Sequence, residues 1–143
     1  MTFTSAPSNI GATAQAATAD ELNNEGVTQI NNKQSAKAAE LFAEADRLQP
    51  DDPSILTNLG YALMLSGKLD DAIIHLQHVT KIKPDFTAAW LDLGLAFEQK
   101  NDTQSAINAF EKFVALENPS TERDRIQAHL ADLKAEQKRE VKD

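Results

Sequence analysis

The sequence predicts an all-α fold, an α-solenoid of three helix-turn-helix repeats closed by a C-terminal solvating helix. Three observations carry this reading. Gly26, Gly60 and Gly94 stand 34 residues apart, and Ala38, Ala72 and Ala106 keep the same spacing. Around both sets the apolar residues step by three and four, the spacing of one helix face, twice per unit with a break between. Self-similarity at this period marks stacked helical hairpins, which share one continuous core and work by presenting a surface.

Written in rows from Ala19, Pro53 and Thr87, the chain divides into repeats at 19–52, 53–86 and 87–119. In the first helix of each row Leu22, Leu56 and Trp90 align, then Glu25, Leu59 and Leu93, the glycines, and Gln29, Leu63 and Phe97. Row one is degenerate at Glu25 and Gln29, which suits a terminal repeat. The break follows at Lys33, Gly67 and Asn101, and the latter two tolerate the left-handed backbone that ends a helix. The second helices carry the alanines, then Phe42, Leu76 and Phe110, then Ala45, Val79 and Phe113, and finally Leu48, Ile82 and Leu116. Pro50, Pro84 and Pro119 stop them, while Asp52 and Asp85 are placed to cap the next helix. The glycine and alanine columns lack the bulk that would hold paired helices apart.

Outside the repeats, residues 1–18 are expected to form a disordered tail. The first 19 residues carry no Asp, Glu, Lys or Arg, and Pro7 and Gly11 interrupt any helix. That stretch lacks the basic start and apolar run of a secretory signal, and nothing in the chain approaches the length of a membrane span. Residues 120–143 predict the capping helix. Thr121 and Asp124 are spaced for a capping box, and Ile126, Leu130 and Leu133 form one narrow apolar stripe. Beyond Leu133 the chain is nearly all charged and is expected to project or fray.

The bulk numbers exclude several functions. A formal charge of -8 and a pI near 4.8 argue against nucleic acid, which needs clustered cations. With no cysteine there is no thiolate nucleophile and no cysteine-ligated zinc. His75, His78 and Asp71 share a helix at metal-like spacing, but no fourth ligand accompanies them, and His129 reads as structural or exposed. Ser66-Gly67-Lys68-Leu69 lacks the hydroxyl and upstream glycine of a phosphate loop, so it reads as an interhelical turn. No enzyme active site, cofactor or metal is expected.

The columns together resemble the tetratricopeptide repeat, whose signature places W/L, L-G, an aromatic, A, F/Y, A and P at these intervals. The resemblance covers residues 19 to 119 and implies a right-handed superhelix whose first helices line a concave groove for peptide segments. Mapped onto this chain, the lining is Asn23, Asn24, Val27 and Asn31; Thr57, Asn58, Tyr61 and Leu65; and Leu91, Asp92, Leu95, Glu98 and Gln99. Asparagine amides can bond both groups of a bound backbone, Tyr61, Leu65, Leu91 and Leu95 offer an apolar strip, and Asp92 and Glu98 would favour a basic residue. Family members that bind heat-shock chaperone tails use a clamp of Lys, Asn, Asn, Lys and Arg. Asn58 alone matches; Asn23, Val27, Ala88 and Asp92 depart from it, so that acidic tail is expected to be turned away. The resemblance thus implies a protein-interaction scaffold or adaptor for a protein or peptide partner; a cytoplasmic location is only the default for a chain without cysteine, signal or membrane span. A self-assembling structural unit and a secretion-type chaperone holding a client protein are the alternatives.

Overall fold

A computed structural model describes residues 15–142. Seven helices follow in order: α1 Ala19–Asn31, α2 Ser35–Leu48, α3 Pro53–Leu65, α4 Leu69–Ile82, α5 Thr87–Gln99, α6 Thr103–Leu116 and α7 Thr121–Lys142. No strand occurs among the described residues. Each of α1, α3 and α5 packs as a hairpin on the helix that follows it, and these three lie side by side as one layer. The fold is the all-α solenoid that the period predicts.

The helix ends show why the chain breaks where it does. Thr18 caps α1 reciprocally: its hydroxyl accepts from Glu21 N–H at 3.2 Å, and Glu21 accepts from Thr18 N–H at 2.8 Å. Order therefore begins before Ala19, inside the stretch expected to be a tail; residues 1–14 of that stretch lie outside the described residues. Asp52 caps α3 through Ser54 and Ile55 N–H, with Pro53 at the first helical position. Asp85 does not repeat this, because it stands one residue before the N-cap, which is Phe86. The preceding loop is instead tied down by Trp90, whose indole N–H donates to the Pro84 carbonyl at 2.8 Å. On α7 the cap is Ser120, accepting from Arg123 N–H, and not Thr121.

Within each hairpin one turn recurs three times. Lys33, Gly67 and Asn101 take φ of 61°, 78° and 60°. Beside them Gln34, Lys68 and Asp102 donate their N–H to the carbonyls of Gln29, Leu63 and Phe97 at 2.8, 2.9 and 2.9 Å. This is the six-to-one closure of a left-handed helix cap. Lys33 is the residue least suited to it, since a Cβ in that region costs roughly 1–2 kcal/mol. Lys33→Gly is expected to stabilise the fold by about 1 kcal/mol and to raise Tm by about 2–4 °C in a thermal melt. An unchanged or lower Tm would contradict the account of this turn.

The glycine column sets the hairpin spacing. A Cβ on Gly26 would stand 2.5 Å from Phe42, and one on Gly60 would stand 2.6 Å from Leu76; Gly94 meets Phe110 the same way. Helix-interior glycine is unfavourable by about 1 kcal/mol, yet here it lets a large side chain of the second helix rest on the first helix's backbone. Phe42, Leu76 and Phe110 are buried as a result, and Ala38, Ala72 and Ala106 are wholly buried. One cluster runs continuously from α2 to α6, where it ends at Ala109, and a second joins α6 to α7 through Phe110, Phe113, Ile126, Leu130 and Leu133.

The ends of the second helices also differ from expectation. Leu48, Ile82 and Leu116, read as the end of the apolar stripe, are more than two-fifths exposed because each is the last residue of its helix, past the facing hairpin. The charged end of α7 is helical to Lys142 and mostly exposed, with Lys134 paired to Glu111 at 2.5 Å and Gln137 donating to Gln104 at 2.7 Å. The α6 surface supplies polar partners that a sequence stripe does not reveal.

Candidate functional site

The layer of first helices presents the candidate site. On α1 and α3, Asn58 Nδ2 donates to Asn23 Oδ1 at 2.9 Å. One donor and one acceptor are spent on this bond, so the pair retains an amide acceptor and amide donors, the complement of one peptide unit. Next to it Val27, Ile30, Phe42, Asn58 and Tyr61 line a cavity of about 160 Å³. Small-molecule sites span roughly 300–1,000 Å³, so this one suits a single apolar side chain. Val27, Tyr61 and Leu65 are substantially exposed around it. Ile30 and Phe42 are absent from the sequence-derived lining. The glycine at position 26 is the signal for Phe42, because a missing Cβ lets that ring seat against α1 beside the cavity.

Other expected lining residues are placed differently. Asn24, Asn31 and Gln99 are not buried, but Thr57 is, and its hydroxyl donates to the Pro53 carbonyl at 2.7 Å. Thr57 therefore serves α3 itself. Toward the third repeat, α7 approaches the face: Leu91 and Leu95 are part-buried against the α6–α7 cluster. Glu98 pairs with His129 Nε2 at 2.9 and 3.0 Å, and that imidazole stands edge-on to Phe110 with centroids 5.7 Å apart. Glu98 is thus engaged by the capping helix and is not poised for a basic ligand residue. The other histidine pair is separated too: His78 Nε2 lies 2.6 Å from Asp51 Oδ1, and His75 lines a different cavity.

Asp92 is the one carboxylate on this face with a large shift. Burial away from water pushes its pKa up from 3.8 to about 7. The raised value means that the folded protein holds the proton more tightly than the unfolded chain. Below the unfolded value Asp92 is neutral in both states and costs nothing. As pH rises through the folded value, the burial penalty develops fully and stability falls. Asp92→Asn is expected to raise Tm at pH 8, by on the order of 1 kcal/mol of stability after allowance for solvent screening. That gain should shrink toward pH 4, and a gain independent of pH would contradict the assignment.

With this geometry in place, comparison with known proteins identifies the fold. Two tetratricopeptide repeat profiles match, one over residues 30–95 and one over residues 87–119. The chain belongs to the tetratricopeptide repeat family. It is 30% identical over 123 residues to the heat-shock protein cognate (HSC) co-chaperone sgt12 of Aspergillus fumigatus, covering 78% of this chain and 36% of that protein. The chain thus spans about a third of that relative's length. Among solved structures, the Sgt2 tetratricopeptide domain from Aspergillus fumigatus matches with a TM-score of 0.78 and 28% identity, over 85% of this chain and 82% of that one. The first tetratricopeptide domain of Spaghetti (RPAP3), bound to the HSP90 peptide SRMEEVD, matches with a TM-score of 0.75 and 18% identity, over 82% and 95%.

These findings overturn one expectation. Exclusion of the acidic tail of heat-shock chaperones rests on departures from a clamp, above all on Asp92 as a repelling charge. The family members that this chain matches include a heat-shock co-chaperone and a domain bound to such a peptide. The physical fault lies in treating Asp92 as a fixed anion. Burial raises its pKa to about 7, which favours the neutral carboxyl over the anion far more than at an exposed aspartate. No helix among the described residues is long and apolar enough to cross a membrane.

Proposed function

We propose that this repeat array is a non-enzymatic adaptor, cytoplasmic, that holds an extended peptide segment of a partner protein across α1 and α3. The observation that carries the reading is the Asn23–Asn58 amide pair set beside the cavity of Val27, Ile30, Phe42 and Tyr61. The amides hold a backbone unit with little demand on sequence, and the cavity takes the neighbouring apolar side chain. Chaperone C-terminal tails belong in the set of ligands to test, because the relatives' names point to them and a methionine or valine suits the cavity. Backbone bonding by the amide pair would replace the cationic clamp that this face lacks.

A pull-down from native lysate tests this with wild type and an Asn58→Ala/Tyr61→Ala variant in parallel. Partners captured by wild type are expected to be missing from the variant, with circular dichroism showing the same fold. Equal capture by both would overturn the assignment of the groove.

A further inference from the structure

The opposite face of the array carries a second groove, between α4 and α6 with α5 as its floor. It encloses about 410 Å³, with Trp90, Leu93 and Phe97 below and Lys81 and Lys112 among its rim residues. Trp90 is fixed by its bond to the Pro84 carbonyl, so its ring is held as part of the floor. Neither rim lysine forms an ion pair among the described residues, whereas Lys100 and Lys134 are held by Asp70 and Glu111. The repeat supplies an internal comparison. One period earlier the same groove lies between α2 and α4, with Leu59 and Leu63 in place of Leu93 and Phe97, and Asp46 and Asp71 in place of Thr80 and Ser105. The earlier groove also has Lys68 and His75 on its lining, and Arg47 and His78 stand one period before Lys81 and Lys112. Arg47 is held by Glu44 and His78 by Asp51, so the later groove differs in its aromatic floor and in rim cations that form no ion pair among the described residues.

We infer that the α4–α6 groove is a second docking site, for an acidic peptide segment whose carboxylates flank a bulky apolar side chain. Charge complementarity selects this occupant. In a chain of net charge -8, two ammonium groups without ion-pair partners among the described residues, set over an aromatic floor, match a ligand that carries negative charge beside an apolar group. The apolar side chain covers Trp90 and Phe97, and the carboxylates reach Lys81 and Lys112. Because the rims of this surface are built by second helices, it is separate from the Asn23–Asn58 groove. The adaptor then holds two segments at once, one on each face.

Trp90 is the only tryptophan and lies in the groove, so its emission reports occupancy directly. The probe is a capped six-residue peptide with a Phe-Leu pair flanked on each side by two glutamates. Saturable change in Trp90 emission is expected, with affinity at least about tenfold weaker for Lys81→Glu/Lys112→Glu. Tyr61→Ala should leave it unchanged, and the counterpart peptide with lysines should not bind. Should charge reversal lower Tm, Lys81→Ala/Lys112→Ala serves in its place. Absence of saturable change, equal binding of the lysine peptide, or undiminished affinity in the lysine variants would overturn the inference. So would a concentration-dependent dimer, seen by sedimentation and dissolved by the same substitutions, since the occupant would then be a second copy of this chain.

Discussion

Phe110→Ala is expected to lower the free energy of unfolding by about 3–5 kcal/mol. Phe110 is wholly buried where three helices meet. Its ring rests on the backbone of α5 at Gly94, belongs to α6, and contacts α7 through the edge-on imidazole of His129. Truncation leaves a cavity that rigid neighbours cannot fill, because Gly94 offers no side chain and Ala106 is fixed by its own burial. The cluster of Ile126, Leu130 and Leu133 then loses its principal partner on α6. Chemical denaturation should show the loss in midpoint. Leu116→Ala, on the same helix but exposed at its end, should cost about 1 kcal/mol or less. Equal losses at the two positions would contradict the packing described.

The second large effect is on binding. Asn58→Ala combined with Tyr61→Ala should weaken a captured peptide by about 2–4 kcal/mol, or roughly 30- to 1,000-fold. Tyr61 supplies rigid amphipathic area beside the cavity, and Asn58 is the residue that joins the amide pair to the cavity wall. Stability should change little, since neither side chain is fully buried. A titration by calorimetry reads the affinity. A loss below about threefold would place the peptide elsewhere.

The repeat architecture was legible because it rests on periodicity. Helix starts at Ala19, Pro53 and Thr87 follow from columns, and the glycine column translates directly into the Phe42, Leu76 and Phe110 contacts. The turn at Lys33 was harder to read, since lysine does not announce a left-handed backbone; its equivalence to Gly67 and Asn101 was the only sign. At the candidate site, the first-helix register placed Val27, Asn58, Tyr61 and Leu65 where the structure leaves them exposed or part-exposed. Thr57 is different, because a hydroxyl can satisfy its own helix, as the bond to Pro53 shows. Glu98 was misread because its partner, His129, comes from a helix outside the repeat register. The raised pKa of Asp92 was invisible for a related reason: desolvation depends on neighbours that only packing brings together.

The central claim is that a peptide lies across α1 and α3, and amide chemical-shift mapping of the labelled protein with a captured partner segment tests it most directly. The account predicts the largest perturbations at Asn23, Val27, Asn58 and Tyr61, saturating with the bound fraction. Perturbations confined to α2, α4 and α6, with those four amides unmoved, would contradict it.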